Sequence, residues 1–254
     1  MSSLDQFKIY KYEQLASTNN KLKELKLTSD LNEYAIVQTD NQTAGKGQAG
    51  NSWESEKGKN LTFSLYIKPN YVEIQDQFII SKAVALGIIS VFNSYKEGFK
   101  IKWPNDIYYH NKKVGGILIE NALCQSEISE SVIGIGLNIN QTNFISDAPN
   151  PISIKSILNK TMNLDEILVR ILASIIEQIE KIKAGKDIEL DDLYMKHLYR
   201  NVGLHAYKDE NGKFEASING INNYGHLELK TPDGTIRSYA FKEVEFLLNL
   251  DIDN

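Results

Sequence analysis

The sequence predicts an α+β protein: interspersed strands and helices over roughly the first 200 residues, then a small all-β module. Three observations carry that prediction. Helix-period segments at 76–95 and 163–185 stand among short alternating or wholly apolar runs of strand length. A glycine-rich stretch, "QTAGKGQAGNSW" (42–53), joins two such runs with no helical pattern after it. Beyond about residue 200, short alternating segments are separated by "DENG" and "TPDG", the texture of a β-barrel of some 55 residues. These divide the chain into expected domains at 1–198 and 199–254, the smaller packed on the larger because it is too small to be very stable alone.

The elements follow in order. "FKIYKY" alternates as a first strand, and "STNNKLKELK" reads as a helix that Ser17 or Thr18 can cap. "YAIVQT" (34–39) and "NLTFSLYI" (60–67) are strands on either side of the glycine stretch. "DQFIISKAVALGIISVFNSY" (76–95) is apolar around most of its circumference, hence a buried helix, with Asp76 as its expected cap. "KIKWPNDIYYHNKKVGGILIEN" reads as two strands joined by a turn at His110–Lys112, and "SVIGIGLNIN" as a further strand. In "NLDEILVRILASIIEQIEKIKAG", Leu164, Ile167, Leu168, Ile171, Leu172, Ile175, Ile179 and Ile182 share one helix face. Asp165 and Glu166 complement its N-terminal dipole, and Ala184–Gly185 end it.

Composition excludes several classes. With 42% hydrophobic and 24% charged residues the chain matches ordinary globular proteins. No apolar run is expected to approach the roughly 20 residues that cross a bilayer, and the N-terminus lacks a signal-like apolar core. The expectation is a cytoplasmic protein with no membrane partner. Cys124, the single cysteine, excludes an internal disulfide or a multi-cysteine zinc cluster and reads as a small buried hydrophobe. A formal charge of −5 argues against general attraction to nucleic acid.

Gly45, Gly47 and Gly50 spell G-x-G-x-x-G, yet a dinucleotide fold needs a helix after the loop and here another strand follows. A Walker loop needs Gly-Lys-Ser/Thr, whereas Lys46 precedes Gly47. A kinase-type loop would require catalytic signatures that the chain lacks. Two readings stay open: a loop whose bare amides and Lys46 approach an anion, or a glycine-rich hairpin turn. "KWPNDIYYHNKKVGGILIE" (102–120) favours the first. Pro104 removes a ladder donor, Gly115–Gly116 clear space for a close approach, and Lys113 projects beside them.

Together "STN" (17–19), "QTAGKGQAGNSW", "KWPNDIYYHNKKVGGILIE" and "GIGLNIN" (134–140) give the sequence a strong resemblance to the biotin protein ligases. The resemblance implies a catalytic domain similar to class II aminoacyl-tRNA synthetases, with a mixed β-sheet, helices and a small C-terminal SH3-like barrel. It implies two steps: biotin and ATP give biotinyl-AMP, then an acceptor lysine on a biotin carboxyl carrier protein displaces AMP. ATP, Mg²⁺ and biotin are the implied small molecules, with no direct metal ligand assigned.

The same resemblance distributes the roles. Lys113, Asp106 and Lys46 are the implied catalytic residues, Lys113 as the main cation at the carboxylate and adenylate, Asp106 orienting the incoming lysine or accepting its proton, or else serving as a buried structural carboxylate. Ser17, Thr18, Asn19, Gln42, Lys46, Gly47, Gln48, Lys113, Gly115 and Gly116 are implied for biotin. Gly45, Lys46, Gly47, Gln48, Trp53, Lys113, Asn138 and Asn140 are implied for ATP and adenylate.

Two departures qualify the picture. Relatives carry arginines where this chain has Lys46, Gln48 and Asn51, which removes bidentate phosphate contacts and implies weaker adenylate retention. The pattern also starts within the first ten residues, without the DNA-binding domain of bifunctional relatives, so no DNA partner is expected. Relatives form dimers through a sheet edge, so a homodimer is one of the expected states. A lipoate or octanoate ligase of the same fold and a non-catalytic biotin sensor are the rival readings.

Overall fold

A computed structural model of the chain describes residues 4–145 and 150–247, so both expected domains extend beyond the described residues at their outer ends. Strand β1 (Ile9–Leu15), helix α1 (Thr18–Thr28) and strand β2 (Ile36–Gln42) form a parallel crossover unit. Then come β3 (Leu61–Ile67), α2 (Phe78–Tyr95), β4 (Phe99–Lys102), β5 (Asp106–Tyr109), β6 (Lys112–Cys124) and β7 (Glu127–Leu137). Helices α3 (Ile154–Leu158), α4 (Leu164–Lys183) and α5 (Asp187–His197) complete the larger part. Its sheet runs β1-β2-β3-β7-β6-β5-β4, parallel at β1–β2 and antiparallel elsewhere, which is the mixed sheet expected.

Alternation sorts the sheet into two faces. Leu61, Phe63, Leu65 and Ile67 of β3, with Ile133, Ile135 and Leu137 of β7, pack into the main core beneath α2 and α4. Tyr66 and Val132 point the other way, with Leu22 of α1 in a second, smaller cluster. Helix α1 therefore covers only part of this second face. Its start is fixed where the sequence predicts: Ser17 accepts from the Asn20 amide as N-cap. The α4 stripe is likewise buried from Ile167 to Ile182, with Leu164 at its margin.

The C-terminal strands are β8 (His205–Asp209), β9 (Gly212–Ile221), β10 (Leu227–Lys230), β11 (Ile236–Tyr239) and β12 (Glu245–Phe246). They form one antiparallel five-stranded sheet in the order β11-β10-β9-β8-β12, and barrel closure is not among its pairings. The module docks on the larger part as expected. Trp103 Nε1 donates to Gly225 O at 2.9 Å, and the Trp103 and Phe241 rings meet edge-on at 6.5 Å. Gly225 has φ of +83°, and a Cβ there would lie 2.6 Å from Phe78 Cδ2, so only glycine fits that contact.

Several expectations are corrected. Asp76 does not cap α2: a 3-10 turn (Ile74–Asp76) intervenes, and Gln77 enters the helix in α conformation without a side-chain cap. The segment 102–120 holds parts of three strands, because Trp103–Asn105 make a turn between β4 and β5, with a cis Trp103–Pro104 bond. Cys124 is exposed rather than buried, since the β6–β7 hairpin runs past the core and leaves Leu123 exposed too. One apolar segment, Ile74–Tyr95, does reach membrane-spanning length and hydropathy, but 72% of its qualifying window is buried inside the fold.

At Gly87 the two long helices touch backbone to backbone: a Cβ there would sit 2.7 Å from Ile175 Cα and 2.8 Å from its nitrogen. Gly87→Ala gains about 1 kcal/mol of helix propensity but forces α2 and α4 apart at a cost of about 1–3 kcal/mol. A lowered melting temperature by calorimetry is expected; a raised one would show that the helices can part freely.

Candidate functional site

On the face that α1 leaves uncovered, three rows of facing residues cross the strands. One row runs Thr62, Gly136, Gly116, Asp106, Lys102 from β3 to β4. Two residues along, or about 7 Å, the next row is Ser64, Gly134, Leu118, and then Tyr66, Val132, Glu120 beneath α1. Glycines at the centre of the first two rows strip side chains from the sheet and leave a trough with polar walls. It forms a cavity of about 620 Å³. Ser17, Thr18, Asn19, Gln42, Lys46, Gly47, Gln48, Trp53, Asp106, Lys113 and Gly116 all line it.

Lys113 reaches this face through a β-bulge. Gly116 pairs with Asp106 and Gly115 with Ile107, but Tyr108 pairs with Lys113, so the register skips at Val114. Regular alternation would send Lys113 to the opposite side from Gly116; the extra residue brings it back. Lys113 Nζ lies 2.7 Å from Asp106 Oδ1 and 5.8 Å from the Trp53 ring centre. Lys102 stands across the β4–β5 turn from Asp106, its ammonium 4.9 Å from the Phe246 ring centre. Burial pushes the Lys102 pKa down, and nearby Asp106 opposes that shift. Burial pushes the neighbouring Tyr108 hydroxyl pKa up, assisted by Asp106.

The other wall is a network of neutral hydrogen-bonding groups at the start of α1. Thr18 N donates to Gln42 Oε1 at 2.9 Å. Ser64 Oγ lies 2.8 Å from Thr18 Oγ1 and 2.5 Å from Asn19 Oδ1. Asn19 Nδ2 donates to Glu120 Oε2 at 2.7 Å. Gly134 is needed here: a Cβ would fall 2.5 Å from Asn19 Oδ1.

The glycine stretch folds back as a small hairpin. Lys46 pairs with Ser52, Gly47 N donates to Asn51 O, and Trp53 N donates to Gly45 O. This returns Trp53 onto the bare sheet, where a Cβ on Gly136 would lie 2.4 Å from its Cε2. Trp53 Nε1 and Gln48 Oε1 are buried there without a protein partner, an arrangement a polar ligand would complete.

Not every expected residue faces the cavity. Asn140 clasps the Met162 backbone through both side-chain amide atoms, and Asn138 is buried, its backbone bridging Val114 and Ile154. Neither lines the cavity, and nor do Gly45 or Gly115. The approach that Gly115 permits is by β7: a Cβ would meet Leu137 Cδ2 at 2.5 Å. Conversely Thr62, Lys102, Trp103, Gly134, Gly136 and a rim from Phe241 to Phe246 line it and went unassigned in the sequence, as did Ser64 and Glu120, which stand behind the lining and hold Asn19. Alternation within "GIGL" places Gly134 and Gly136 on one face and was the available signal.

The pattern of the Biotin/lipoate A/B protein ligase family matches residues 12–138. The bifunctional ligase/repressor BirA of Bacillus subtilis is 28% identical over 240 residues, covering 89% of this chain and 70% of its own length. The biotin–protein ligase of Homo sapiens is 27% identical over 212 residues, covering 79% of this chain and 29% of the human one. Among solved structures, the biotin protein ligase from Aquifex aeolicus in complex with biotin and ATP superposes with a TM-score of 0.77 and 25% identity. That match covers 93% of this chain and 97% of the other. The chain belongs to the biotin/lipoate A/B protein ligase family.

Proposed function

We propose that the chain is an ATP-dependent biotin–protein ligase whose acceptor is a biotin carrier protein. One observation supports it above all: a single cavity combines a neutral, directional wall (Thr18, Asn19, Gln42), backed by buried Ser64, with ammonium groups at Lys46, Lys102 and Lys113. The ureido head of biotin has two N–H donors and one carbonyl, which such a wall can satisfy. A lipoyl ring offers no comparable hydrogen bonds.

The chemistry then follows from charge. A biotin carboxylate oxygen attacks the α-phosphorus of ATP, pyrophosphate leaves, and biotinyl-AMP remains. Two anions meet in that step, so Lys113 and Lys46 neutralise repulsion and stabilise the charge that grows on the phosphoryl oxygens. Mg²⁺ would ride on the phosphates, because no cluster of three metal-ligating side chains exists among the described residues. In the second step the acceptor amine attacks the acyl carbon of the anhydride, AMP departs, and the nitrogen loses a proton. Asp106, already paired with the ammonium of Lys113, would orient the incoming one.

Incubation with ATP, Mg²⁺, biotin and a carboxyl-carrier domain tests the reading by mass spectrometry. One biotinyl group on one carrier lysine is expected. Transfer of lipoate but not biotin, or tight biotin binding without transfer, would replace it.

Lys113 is paired and mostly covered, not the exposed lysine its place beside a turn implies. Lys113→Ala is therefore expected to cut pyrophosphate release by about a hundredfold or more and to lower stability by about 1–2 kcal/mol by stranding Asp106. The double variant Lys113→Ala/Asp106→Asn should recover the melting temperature but not adenylation. Recovery of both would remove Lys113 from the chemistry. Gln48→Arg should slow release of biotinyl-AMP about tenfold by adding a charge-assisted contact; unchanged release in a filter-binding chase would show that Gln48 does not govern retention.

A further inference from the structure

A chain of hydrogen bonds leads from α1 and β6 into the cavity, and one end decides its direction. Lys23 Nζ holds Glu120 Oε1 at 2.5 Å. Burial alone would raise the Glu120 pKa, but hydrogen bonds from Lys23 and Asn19 hold it below the ordinary carboxylate range. An ionised carboxylate only accepts. Asn19 must therefore present its amide hydrogens to Glu120 at 2.7 Å, with a longer contact to Leu118 O at 3.4 Å, and its Oδ1 to Ser64.

The remaining links follow from counting protons. Ser64 has one hydroxyl hydrogen, and Asn19 Oδ1 can only accept it. Toward Thr18 Oγ1, 2.8 Å away, Ser64 Oγ is then an acceptor, and Thr18 supplies the hydrogen. The competing contact from Thr18 Oγ1 to Gln42 Oε1 is longer, 3.3 Å, and that oxygen is already served by Thr18 N. The Thr18 hydroxyl is thus left facing the cavity with a lone pair.

We propose that Glu120 is a positioning residue that, through Asn19 and Ser64, fixes the Thr18 hydroxyl as a hydrogen-bond acceptor for a ligand N–H. The inference rests on the ligase reading, in which the ureido ring supplies that N–H. A neutral amide at 120 has hydrogens of its own. It can donate to Asn19 Oδ1 and let the whole chain reverse, giving up only the long contact to Leu118 O and turning a Thr18 donor toward a ligand donor.

Glu120→Gln is nearly isosteric and lies on a partly exposed strand position. Calorimetry would compare biotin with analogues in which oxygen replaces one or the other ureido N–H. Wild-type protein should bind one of these about tenfold or more weakly than biotin. In Glu120→Gln, biotin affinity should fall about tenfold while that discrimination shrinks to about threefold or less. KM for biotin in adenylation should rise, with kcat within about twofold of wild type.

Ser64→Ala cuts the same chain at its middle, so it should reproduce the loss, and the double variant should add little. Biotin affinity and discrimination unchanged in Glu120→Gln, or additive losses in the double variant, would overturn the proposal while leaving the ligase reading intact. Should Glu120→Gln fold poorly, Ser64→Ala decides alone: full discrimination in it overturns the proposal. If wild-type protein gives no heat with biotin, the ligase reading fails and this inference with it.

Discussion

The site depends on backbone left bare. Gly116, Gly134 and Gly136 lie in adjacent rows of one sheet face, and two of them are in contact with groups no side chain would admit. Asn19 fills the space over Gly134, and the Trp53 indole lies on Gly136. An alanine at either position would push a site residue off the sheet, and a shift of about 1 Å is enough to disturb reacting geometry. The polar wall and the tryptophan floor are therefore positioned by the absence of atoms. The opposite face of the same strands carries Ile133, Ile135 and Leu137 into the core, which keeps the trough rigid.

A second constraint ties the C-terminal module to the chemistry. Trp103 belongs to the turn between Lys102 and Asp106, and its indole N–H is taken by Gly225 of the smaller sheet. Phe246 of that sheet in turn covers the Lys102 ammonium. The module thus serves as one wall of the cavity, and its register on Trp103 sets how deeply Lys102 is buried. The five-stranded appendage is also continuous with the main core, to which it adds Tyr207, Leu227, Leu229 and Phe246.

Much of this was legible in the sequence, because the signals were local. The Ser17 cap, the α4 stripe and the strand after the glycine stretch depend on neighbours a few residues away, and the structure places them as read. What local pattern could not carry was face. Counting by twos from Gly116 sends Lys113 to the wrong side, since nothing in "KKVGG" announces that Val114 is a bulge. In "GIGLNIN" the asparagines draw attention as polar groups, yet Asn140 serves the Met162 backbone while the glycines shape the trough. Glu120 follows an apolar run within β6, and only the crossing of α1 over β6 shows that it holds Asn19.

Charge arithmetic links the two walls. Lys102, Lys113 and Lys46 line one cavity, with Asp106 as the carboxylate paired among them. Lys113 and Lys102 repel one another across Asp106, and burial already weighs against the charged form at Lys102. Anionic reactants relieve that repulsion on entry, so the same lysines that destabilise the empty site favour the loaded one. The neutral wall contributes nothing to that attraction. It can discriminate among anions only by matching donors to acceptors, because a mismatched buried hydrogen bond costs more than a matched one contributes. Attraction and selection are in this way assigned to different elements, cations on β4, β6 and the glycine hairpin and directional groups on β3 and the start of α1.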